Sequence, residues 1–134
     1  MVGGALGGSV EEAGVGLSAR DLVLGMPPVV AVNGAVWVET ESTLDCLPRG
    51  EWQVVMATLD EPMPPGTELE VELFSPAAEV TLGRQRLSER SAMLAFRLPA
   101  KAGIPLRLRY RFRHDLLAAT GSFSRSVLFT LIDP

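Results

Sequence analysis

PLRLRYRFRH, residues 105–114, carries arginine at every second position: Arg107, Arg109, Arg111 and Arg113 alternate with Leu106, Leu108, Tyr110, Phe112 and His114. A repeat of two belongs to a strand, with one set of side chains facing a core and the other facing away. TELEVELF, residues 67–74, has the same period and the opposite charge, with Leu69, Val71 and Leu73 on one phase and Glu68, Glu70 and Glu72 on the other. If the two strands are neighbours, the outward rows can form a cross-strand ion ladder. If they are apart, each row is a single-sign face, solvated or open to a partner, and the arginine face would suit an anionic polymer such as an acidic polysaccharide.

Reading outward from these two segments, further short strands appear between turns. VVAV and AVWVE flank Asn33-Gly34, a strong hairpin signal. A loop, TESTLDCLPRGE, leads to WQVVMATL at 52–59, and the proline-rich DEPMPPG precedes TELEVELF. EVTLGRQRL, SAMLAFRL at 91–98 and the closing SFSRSVLFTLI complete the set, with HDLLAATG as a loop or helical turn. Seven or eight strands at a spacing of about 8–12 residues predict an all-β antiparallel sandwich or barrel. No long helical segment separates the strands, which excludes a parallel α/β sheet. Alternation predicts burial for Leu69, Val71, Leu73, Leu94, Phe96, Leu98, Leu106, Leu108, Phe112, Phe129 and Leu131, and exposure for the three glutamates and four arginines. Trp37 and Trp52 read as core anchors.

The first 25 residues differ in character. MVGGALGGSVEEAG is rich in glycine and poor in bulky side chains, so residues 1–25 read as a flexible arm and 26–134 as the folded domain. Within the arm, Ser18 and Asp21 fit a capping box, Leu17 and Leu22 a hydrophobic staple, and Gly25 before Pro27 a stop, all predicting a short helix. The competing reading is an extended segment using Val15, Leu17 and Ala19 as an added strand. GVGLSA at 14–19 spells a dinucleotide loop, but no apolar strand precedes it.

Composition narrows the function. The chain has 134 residues, 47% of them hydrophobic, and a net charge of −4, with eleven arginines against one lysine. A GC-rich genome explains the arginine bias, and the scarcity of thermolabile residues would also suit a thermophile, although the lysine and glutamate enrichment that marks heat adaptation is absent. The basic residues form no phosphate-tracking field, so nucleic acid is excluded as a partner. No apolar run approaches a bilayer span, and no secretory signal pattern opens the chain. The single cysteine, Cys46, has no mate for a disulfide and reads as a small buried hydrophobe. His114 and Tyr110 fall on the inward phase of the arginine strand, and no nucleophile elbow supports a triad. One histidine and one cysteine build no zinc site. The acidic pairs Glu11-Glu12 and Asp60-Glu61 lack calcium-loop spacing. The expectation is a protein without catalysis, cofactor or metal.

AATGSFSRSVLFTL near the end has the shape glycine, aromatic, then alternating apolar positions, with Gly121, Phe123, Val127, Phe129 and Leu131 in those places. It resembles the last strand of secreted bacterial fimbrial pilins and spore-coat-U-like domains. PRGEWQVVMATLDEPMP is similar to the tryptophan-bearing early strand of such domains. The resemblance implies an immunoglobulin-like sandwich and a homo-oligomeric structural subunit of a cell-surface or extracellular assembly. It also implies an N-terminal arm that adds a strand to a neighbour's sheet. Pilins carry a disulfide, which Cys46 alone cannot form. An intracellular or virion structural protein, and a binding module using Arg107–Arg113, are the alternatives.

Overall fold

The computed structural model describes residues 6–14, 17, 20–24, 35–46, 53–74, 80–98, 104–115 and 121–132. Its strands are β1 (Leu6–Gly14), β2 (Arg20–Leu24), β3 (Ala35–Cys46), β4 (Gln53–Leu59) and β5 (Thr67–Leu73). They continue with β6 (Val80–Thr81), β7 (Arg84–Arg86), β8 (Ala92–Leu98), β9 (Ile104–Asp115) and β10 (Gly121–Ile132). The arginine-rich stretch is β9, an inner strand of a four-stranded sheet ordered β3-β9-β5-β7. A six-stranded sheet, β2-β1-β10-β4-β8-β6, packs against it. The fold is therefore all-β, two sheets face to face, with no helix among the described residues.

Between the sheets lies the core that alternation predicts. Leu69, Val71 and Leu73 of β5, Leu106, Leu108 and Phe112 of β9, Leu94 and Leu98 of β8, and Phe129 of β10 are all buried. Each such side chain contributes about 1.5–3 kcal/mol by leaving water. Phe96 and Leu131, expected among them, are only half-buried. For Phe96 the cause is local: the β4–β8 register shifts between Val55 and Met56, so Leu94 and Ala95 both face inward and the alternation slips. Arg97 then takes a positive φ of 60°. A non-glycine residue there is uncommon and fits an irregular strand.

Other sequence expectations are also corrected. TESTLDC is no loop: β3 runs on to Cys46, with Ser42, Leu44 and Cys46 buried and Glu41, Thr43 and Asp45 exposed. EVTLGRQRL is no single strand, because Gly83 at φ 75° breaks it and sends β6 to one sheet and β7 to the other. Trp37 is half-buried on the outer face, under Arg111, rather than in the core. The largest revision concerns the arm. Its residues 6–14 and 20–24 are strands of the larger sheet, and Arg20–Leu24 is extended, not helical. The Asn33-Gly34 hairpin, Trp52, Val15, Ser18 and Ala19 lie outside the described residues. Leu17, the described member of the expected added strand, makes one bridge to Cys46 and packs against the core.

Candidate functional site

Among the described residues, two places bring polar side chains of several strands together. The first is the outer face of the four-stranded sheet. β9 lies between two acidic strands, so Arg109 faces Glu41 on β3 and Glu72 on β5, and Arg111 faces Glu39 and Glu70. Arg113 faces Glu68, and Arg86 and Arg84 of β7 oppose Glu70 and Glu72. The charges thus alternate across the sheet. Arg109 closes ion pairs at 3.1 Å to Glu41 and 3.7 Å to Glu72, and Arg113 at 3.2 Å to Glu68 and 2.7 Å to Asp115. Arg111 lies 3.7 Å above the Trp37 ring, with Glu39 at 3.9 Å. Arg107 has Phe74 beneath it at 4.9 Å. Glu68, Glu70, Glu72, Arg109, Arg111 and Arg113 are consequently half-buried, not exposed as alternation alone predicts. Packing between guanidinium groups, carboxylates and aromatic rings covers their stems.

This face mixes both signs, with acids in slight excess. Seven acids, Glu39, Glu41, Asp45, Glu68, Glu70, Glu72 and Asp115, stand among six arginines, Arg84, Arg86, Arg107, Arg109, Arg111 and Arg113. An anionic polymer laid along Arg109, Arg111 and Arg113 would meet a carboxylate beside each guanidinium group, whereas Arg107 lies opposite Thr43 and over Phe74.

The second place is the edge formed by β1 and β2. β1 lies parallel to β10, joining the first described strand to the last, with Val10 opposite Arg125 and Glu12 opposite Val127. β2 returns antiparallel along β1 and pairs Arg20 with Glu12. Glu12 points between the sheets and is fully buried. The Ser42 hydroxyl of β3 donates to its Oε1 at 2.6 Å, and the Tyr110 hydroxyl of β9 donates to its Oε2 at 2.5 Å. Both donors come from the opposite sheet, so one carboxylate ties the sheets together. Burial raises the Glu12 pKa above its ordinary value, although the two hydrogen bonds and the Arg20 charge pull it down. Tyr110, fully buried, is pushed well above its usual value by burial and by the adjacent carboxylate.

Sequence reasoning sorted these three residues differently. Tyr110 was expected to face inward and does; as a core tyrosine its hydroxyl requires a partner. Glu12 and Ser42 were missed, one within the assumed arm and the other within the assumed loop. The signal was present, because Glu12 shares its phase with Val10, and Ser42 shares its phase with Leu44 and Cys46. His114, also inward, is buried beside Phe112, and Cys46 is buried and unpaired. Among the described residues no group of three His, Cys, Asp or Glu side chains could hold a metal ion, and no helix is long and apolar enough to cross a membrane. No protein-family model matches this chain, and no curated protein matches it significantly.

Proposed function

We propose that this chain is a non-catalytic structural subunit of an extracellular or cell-surface assembly, a pilus, fibre or coat. In this reading it is an immunoglobulin-like sandwich related to pilin and spore-coat-U-like subunits, and neighbouring copies are joined through their N-terminal strands. The observation that carries the reading is the parallel pairing of β1 with β10 at the end of the larger sheet. β1 and β2 form an outer pair, continuous with the remaining strands only through residues 25–34. The same contacts with β10 can therefore be made by the β1–β2 pair of another copy. Strand addition of this kind uses main-chain groups that an unfilled edge would leave unpaired.

Sedimentation of the full-length chain over a wide concentration range tests the proposal. Dimers or longer species that grow with concentration are expected. A monomer throughout would overturn it.

A further inference from the structure

β1 is poorly specified by its apolar content. Among the described side chains of LGGSVEEAG, Val10 is the buried apolar one, set between Gly8 and Glu12 on the same phase. Glycine-rich strands hold register weakly, and a slip of two residues would keep every inward position inward. Three features oppose such a slip. A Cβ at Gly8 would come within 2.4 Å of the Phe123 ring, and one at Gly14 within 2.1 Å of the Phe129 carbonyl oxygen. Between them, both carboxylate oxygens of Glu12 accept hydroxyl donors. Slipping one way drives Glu12 into the Phe129 carbonyl and sets Val10 against the hydroxyls. Slipping the other way drives Val10 into the Phe123 ring and leaves Ser42 and Tyr110 without an acceptor. Buried polar groups that fix register are the best-attested use of such contacts.

We propose that Glu12 is the register key of β1, read by Ser42 and Tyr110, and that it makes the β10 edge selective for this chain's own β1, from the same molecule or a second copy. The second-copy half rests on the strand-exchange reading above; the register half does not.

Hydrogen exchange on the full-length protein separates the two. Glu12→Leu should speed exchange of β1 amides roughly tenfold or more relative to those of β9, because two buried hydroxyls lose their acceptor. Ser42→Ala with Tyr110→Phe should do the same. The triple variant, an apolar key in an apolar reader, should restore β1 protection to within about threefold, and Glu12→Gln, which keeps an acceptor, should protect β1 at least as well as wild type. Should Glu12→Leu lose β9 protection as well, the comparison of Glu12→Gln with the triple variant decides. Unchanged β1 protection in Glu12→Leu, or no recovery in the triple variant, would overturn the register key. In mixtures of differently labelled chains, wild type and the triple variant should form mixed species at least about tenfold less than wild type with itself, since each mismatch leaves buried polar groups unpaired. Free mixing would overturn the selectivity. If wild type forms no multi-chain species at all, the second-copy half and the assembly reading fall together, and β1 protection still judges the key.

Discussion

The carboxylate of Glu12 accepts two short hydroxyl bonds in a place without water contact, and its protonation should mark the stability of the molecule. Its pKa is raised in the fold, so the folded state holds the proton more tightly than the unfolded chain does. Stability from this group is fully present below the unfolded value of about 4.5 and is lost as pH rises through the higher folded value. Chemical denaturation at several pH values should show Glu12→Gln gaining on wild type as pH rises through this window. Glu12→Ala should instead cost about 1–3 kcal/mol for each hydroxyl left unpaired. At the alkaline end, Tyr110 must keep its proton to donate, and its raised pKa means stability is lost above about pH 10. Tyr110→Phe should abolish that alkaline loss. Cys46 offers a silent reporter: burial pushes its thiol up to about 11, so thiol reagents should label it at the rate of unfolding and no faster.

Among the strands, those with both a strict repeat and contrasting faces were legible from sequence alone. β5 and β9 are the clearest cases, and their adjacency matches the opposite signs of their outward rows. The ladder that results is wider than two strands, because β3 supplies a second acidic row whose polar ETEST composition imitates a loop. A double-mutant cycle on Glu41 and Arg109, the pair at 3.1 Å, should give a coupling of ~0.2–1 kcal/mol that shrinks with added salt. β1 was illegible for the converse reason: glycines and acids fill it, and its place depends on contacts with Phe123, Phe129, Ser42 and Tyr110 far along the chain. Gly14→Ala should therefore destabilise the edge by about 1–3 kcal/mol, since its Cβ would meet backbone. Gly8→Ala should cost less, because its Cβ would meet a side-chain ring and not backbone.

At the scale of the whole molecule, the first and last described strands lie side by side, and that closure defines what assembly would have to exchange. Strand alternation foretold packed sheets and puts Glu12 and Ser42 on inward phases, but not their meeting with Tyr110, since the partners of Glu12 are 30 and 98 residues away. Ser9 on β1 and Ser124 on β10 are register partners, and both are exposed. Full-length chains carrying Ser9→Cys alone and Ser124→Cys alone can be mixed, incubated at high concentration and oxidised, with Cys46 remaining buried. A covalent dimer containing one chain of each kind should form, because β1 of one copy then lies on β10 of another. If the two variants stay separate while a Ser9→Cys/Ser124→Cys chain closes its own disulfide, β1 serves only its own molecule and the assembly account is wrong.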